Sequence, residues 1–165
     1  MKKMLVMVVI AFLVFATFGC TVGDRFSYPP FDPKNPLISD DLSEIGYKNY
    51  SLTSNYNNLN ILGNGTYTVY LTVNGDKISI TTYLYNTASS AQSKYTELSA
   101  GMTPIDTNNG FAAISGAKGV LSDKTVAVEI TGPSAEITQS IIYVILHKTK
   151  KGVQLSENEL DKALQ

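Results

Sequence analysis

The sequence predicts an α+β fold: an antiparallel β-sheet of about five or six strands with two to three helices packed on one face. Three observations carry the prediction. Two alternating apolar–polar runs flank Asn74 and Gly75, the pair that best suits a two-residue hairpin turn in which both central residues need positive φ. Two later segments repeat apolar residues at the three- and four-residue spacing of a helix face. Shorter strand-like runs lie on both sides of the first of these segments. Strands, hairpin, helix, strands and helix in that order place the helices against an antiparallel sheet.

The hairpin fixes its own register. A two-residue turn pairs Val73 with Asp76, so Leu71 meets Ile78, Val69 meets Ile80 and Tyr67 meets Thr82. Thr72–Lys77, Tyr70–Ser79 and Thr68–Thr81 then fall on the opposite face. One face is apolar and the other rich in hydroxyls, which is the alternation a half-buried strand pair requires. A helix follows, with Ala88, Ala91, Tyr95, Leu98 and Met102 on one face, Thr87 or Ser89 as its cap, and Gly101 as its stop. Further strands are expected at 46–52, 59–62, 110–114 and 125–130, with the turn into the last of them at Ser122, Asp123 and Lys124.

The run from Ile141 to Leu146 is β-branched and reads as a strand by composition. Its periodicity overrides this: Ile137, Ile141, Val144, Ile145 and Lys148 share one helical face. Gly132, Pro133 and Ser134 punctuate the start, Glu136 suits the first turn, and Lys148, Lys150 and Lys151 suit the last turn before Gly152. Ser156 and Glu159 have the spacing of a capping box, which predicts a short closing helix with Leu155 stapled onto Leu160. This order of elements resembles that of PsbP/Mog1-type α+β domains. The resemblance is topological and implies a fold, not an activity.

The start of the chain determines where the protein is expected to work. Lys2 and Lys3 precede an apolar run from Met4 to Phe18, closed by Gly19 and Cys20, the only cysteine. A basic start, an apolar core and a small residue before the cut are the parts of an export signal. Sixteen residues from Met4 to Gly19 fall short of the roughly 20 that a spanning helix needs, so an uncleaved anchor and ordinary secretion rank below lipidation. Thr17 to Cys20 resembles the lipobox of prokaryotic lipoproteins, matching at Gly19 and Cys20 and departing at Thr17 and Phe18. The resemblance implies cleavage after residue 19, lipid on Cys20 and a place at the cell membrane or envelope, facing away from the cytoplasm.

Behind Cys20, residues 20–42 read as a tether, since positions 28–36 hold four prolines and favour an extended path without ladder donors. The alternative is an ordered arm in which Phe26, Tyr28 and Phe31 pack on the domain. Residues 43–165 then form one α+β domain. From Cys20 onward the chain carries 11 basic and 14 acidic residues. Without a basic cluster, the footprint of a nucleic-acid binder is missing.

Chemistry is sparse. His147 is the only histidine, placed near a helix C-terminus where a cation suits the dipole. Residues 116–119 lack the spacing of a phosphate loop, and residues 106–110 lack the closing Glu of a calcium loop, so both read as turns or loops. Asp40 and Asp41, with Glu44, can cap a turn. Asn49 and Asn64 stand in Asn-X-Ser/Thr sequons, which matter only in a host that glycosylates them. No cofactor or metal is implied.

The surface that invites a partner is the hydroxyl-rich hairpin face, with Thr68, Tyr70, Thr81, Tyr83 and Tyr85 as candidate binding residues. Tyrosine joins a stiff apolar ring to a polar tip, a combination suited to peptides and saccharides. The expectation is therefore a non-catalytic lipoprotein that binds an envelope protein, peptide or glycan, with Cys20 joining it to membrane lipid. An accessory subunit of a membrane complex ranks second, and an exported enzyme third.

Overall fold

The computed structural model describes residues 28–61, 64–107 and 110–154, with backbone only at 58–61 and 64. Its elements are α1 (Ser39–Glu44), β1 (Leu52–Ile61), β2 (Asn64–Val73), β3 (Asp76–Leu84), α2 (Ala88–Leu98), β4 (Thr103–Ile105), β5 (Phe111–Ser115), β6 (Lys118–Asp123), β7 (Val126–Thr131) and α3 (Ala135–Lys151). The seven strands form one sheet in the order β1-β2-β3-β7-β6-β5-β4, and every pairing is antiparallel. Two meanders, β1–β3 and β4–β7, are thus joined through the β3–β7 ladder. The α+β class is as predicted, with more strands than the five or six expected.

The Asn74–Gly75 hairpin has the predicted register, rung for rung. Asn74 and Gly75 sit at φ 51° and 92°, as the turn demands. Alternation along this ladder defines the two faces of the sheet. One face carries Val69, Leu71, Val73, Ile78 and Ile80 from the hairpin and Val126, Val128 and Ile130 from β7. These join the main core with Ile141, Ile142 and Ile145 of α3. Full burial of each of those isoleucines contributes roughly 1.5–3 kcal/mol, enough to hold the β-branched segment as a helix. Ser134 caps it by accepting the Ile137 N–H at 3.2 Å, and Gly152 ends it at φ 118°.

Two corrections concern the layers. The helices are not on one face. α3 lies over Gly119, where an added Cβ would stand 2.7 Å from Ile142. α2 lies on the other side, with the Lys94 ammonium over the Tyr83 ring and Tyr95 against Phe111. α2 thus lies on the second face, where Ala91 is its one buried residue, against eight for α3.

Residues 28–42, read first as a tether, pack as the ordered arm. Phe31, Leu37 and Leu42 are buried in the main core. Phe31 pairs with Val153 in a parallel bridge, its N–H donating to Gly152 O at 2.9 Å and its carbonyl accepting from Gln154 N at 2.8 Å. Pro33 and Pro36 are buried with the arm, while Pro29 and Pro30 stay exposed. Asp41 and Lys148 fasten the arm with a 2.7 Å ion pair exposed by only 2% and 1%.

Of the strand expected at 46–52 only Leu52 is in a strand, residues 46–51 forming a turn and irregular chain. β1 runs from Leu52 to Ile61 and takes in residues 59–61 of the strand expected at 59–62. β4 and β6 were not predicted. The expected helix at 156–159 and the expected arm contact of Phe26 lie outside the described residues.

Candidate binding face

The hydroxyl face of the hairpin lies on the α2 side of the sheet, and α2 covers only part of it. On the open part, Tyr70 is 49% exposed and the Thr68 and Thr81 hydroxyls share a 3.1 Å hydrogen bond. β1 extends the surface: the register sets Thr53 beside Thr72, Asn55 beside Tyr70 and Asn57 beside Thr68. All three β1 side chains are exposed. Hydroxyls and carboxamides both donate and accept, so this area offers mixed hydrogen bonding. Its one charged side chain among the described residues of β1–β3 is Lys77, beside the turn.

Tyr83 and Tyr85 belong elsewhere. The Tyr83 ring lies 4.9 Å from the Lys94 ammonium, and its hydroxyl donates to Glu129 at 3.4 Å. Burial first, then the Glu129 carboxylate, pushes its pKa above the usual phenol value. Glu129 also pairs with Lys118 at 2.6 Å. Tyr85 follows the end of β3, half-buried, with its N–H on Thr125 O at 2.9 Å. Of the five residues expected on one face, the fold thus presents Thr68, Tyr70 and Thr81 on the open half. It places Tyr83 and Tyr85 beside α2. Lys94 is held by Glu97 at 2.7 Å, and that hydrogen bond raises its pKa.

Sequence reasoning missed Thr53, Asn55 and Asn57. Their signal was a period of two, obscured because asparagine is depleted in strands.

A shallow groove of about 320 Å³ opens at the start of α2, lined by Ala88, Ser89, Gln92, Phe111, Ser122 and Lys124 among others. Ser122 is engaged, donating to Val126 O at 3.0 Å, and the Lys124 ammonium faces the α3 carbonyls of Thr149 and Lys150 at 3.4 Å. These polar groups are thus engaged in holding the fold.

His147 lies on the arm side of the sheet, stacked on Tyr28 with ring centroids 5.2 Å apart. Its Nδ1 is 2.8 Å from Tyr143 O; a carbonyl only accepts, so Nδ1 carries the proton. Burial and then the Glu44 carboxylate, to which it donates, raise the Tyr28 hydroxyl well above the ordinary phenol pKa. Asp41 does cap a turn, accepting Ile38 N–H at 2.7 Å. Lys148, expected to complement the helix dipole, is instead buried against Asp41 and donates to Pro36 O at 2.9 Å. Asn49 is exposed at φ 52°.

Cys20 and the whole leader lie outside the described residues. Among the described residues, no helix is long and apolar enough to cross a membrane, and no group of three His, Cys, Asp or Glu is placed to hold a metal. No family model matches the chain, and no curated protein or solved structure matches it.

Proposed function

We propose that this protein is an exported, lipid-anchored, non-catalytic binding domain of the cell envelope, whose partner is an envelope protein, peptide or glycan. What carries the binding half of the reading is the open face of β1–β3. There Thr53, Asn55, Asn57, Thr68, Tyr70 and Thr81 form a hydroxyl- and amide-rich array around one exposed aromatic ring, bordered at Thr81 by the Glu129–Lys118 ion pair. Such an array suits a neutral ligand rich in hydroxyls or amides: a ring stacks on Tyr70 while its polar edge bonds to the hydroxyls.

The leader supports the anchored half. The ordered arm sharpens it, since only the eight residue steps from Cys20 to Tyr28 separate a lipid from the packed domain. At about 3.5 Å per extended residue, the domain stands within roughly 28 Å of its anchor. A lipid on Cys20 therefore keeps the domain close to the bilayer.

Two measurements test the reading. Detergent-phase partitioning of the full chain from its host should place wild type with the membrane phase and Cys20→Ala with the soluble phase; equal partitioning would remove the lipid anchor. Cross-linking to isolated envelope should give an adduct that Tyr70→Ala weakens at least fivefold; an unchanged adduct would remove the face.

A further inference from the structure

The two edges of the sheet are built differently. β4 is a three-residue edge containing Pro104, and short length and proline are both devices that block edge-to-edge pairing. β1 is ten residues long, with neither a proline nor a charge. Residues 51–57 are exposed on both sides of the sheet, and among the described residues no strand lies on its outer side.

The backbone of that edge is directed outward in a defined pattern. Asn74 N–H donates to Ser51 O at 3.1 Å, so odd-numbered residues of β1 face β2, and alternation leaves Leu52, Ser54, Tyr56, Asn58 and Asn60 to point their N–H and C=O groups away from the sheet.

We infer that β1 is a homodimer interface, in which the β1 strands of two copies pair antiparallel and fuse their sheets. A second copy is the occupant for two reasons. In a two-fold contact each side chain lies near its own counterpart, so a charged edge would repel itself. β1 itself carries no charge, and the Lys34 ammonium beside it is engaged with the Tyr56 ring, 5.9 Å from its centroid. Centred on Tyr56, the pairing overlaps residues 52–60 and satisfies about ten outward backbone groups on each copy. It also brings the partly exposed Leu52 and Tyr56, 40% and 39%, into the contact.

The two-fold axis stands perpendicular to the sheet, which keeps both polar faces on one side and both arms on the other. Two copies can therefore stand on one membrane. That compatibility rests on the proposed anchor; the dimer itself does not.

The test uses the full chain in detergent, with Cys20→Ala to remove the native thiol. Light scattering across micromolar to near-millimolar concentration should show a rise to twice the chain mass. Ser54→Pro, which deletes an outward N–H but no β1–β2 bond, should abolish the rise while leaving the circular dichroism spectrum unchanged. Tyr56→Cys, placed opposite its own copy at a Cα separation a disulfide spans, should give an oxidised dimer. A chain monomeric throughout would overturn the inference, as would a dimer that survives Ser54→Pro. Slow amide exchange at Ser54 and Tyr56 in a monomer would overturn it too, by showing that the edge is covered within one chain.

Discussion

Replacing Lys148 by methionine should partly release the N-terminal arm. The substitution keeps the length, helix propensity and apolar stem of the side chain and deletes the ammonium. Asp41, 2% exposed, then retains Ile38 N–H as a donor at 2.7 Å, and Pro36 O loses its 2.9 Å partner. Breaking one side of a buried ion pair costs about 3–5 kcal/mol. For a domain of this size that corresponds to a fall in Tm of roughly 10–15 °C. Thermal melts followed by circular dichroism at neutral pH read the loss, and limited trypsin digestion reads its location, because cleavage at Lys34 and Lys48 should accelerate first. The double variant Asp41→Leu/Lys148→Met removes both charges and should recover about half of the lost stability. A shift below about 3 °C in Lys148→Met would refute the reasoning. So would a double variant as unstable as the single one, since the cost would then lie in packing rather than in an uncompensated charge.

The remaining expectations are more local. Gly119→Ala forces a Cβ to within 2.7 Å of Ile142 and 2.8 Å of Thr138, so denaturant unfolding should show a loss of about 1–3 kcal/mol; a loss under about 0.5 would mean that α3 moves aside freely. Tyr47 donates to Asp76 at 2.9 Å, and burial followed by that bond pushes its pKa from 10.0 to about 12. A phenol raised in the folded state stabilises below its unfolded pKa and loses that contribution as pH rises through the folded value. Wild type should therefore lose stability between pH 10 and about 12, and Tyr47→Phe should lose less over the same window in parallel melts. Tyr70→Ala should change stability by no more than about 0.5 kcal/mol, as for an exposed side chain, so that any loss of partner binding reads the face and not the fold.

The candidate face was half legible in the sequence. Thr68, Tyr70 and Thr81 follow from the turn register, because a two-residue loop leaves no freedom in which side chain meets which. Tyr83 and Tyr85 have the same parity, yet α2 crosses to that face and rests there. Which side a helix takes depends on the apolar patches competing for it, and no local spacing records that. Thr53, Asn55 and Asn57 complete the face only because β2 supplies a ladder for a strand whose asparagines would not hold one alone.

The same division runs through the whole chain. Local chemistry determined the Asn74–Gly75 turn and its register. It also determined the helical state of residues 135–151 against their β-branched composition, and narrowed the cap of α2 to Thr87 or Ser89, of which Thr87 is the one used. Each depends on a few neighbouring residues and a fixed period. Tertiary structure decided what the prolines of the arm do, why Gly119 lies in a strand rather than a turn, and which charge Lys148 meets. Asp41 and Lys148 are 107 residues apart, and Gly119 is required by the side chains of a helix that has not yet begun in the sequence. Such choices are made by close approach between distant segments, where shape and desolvation act only once the layers have closed.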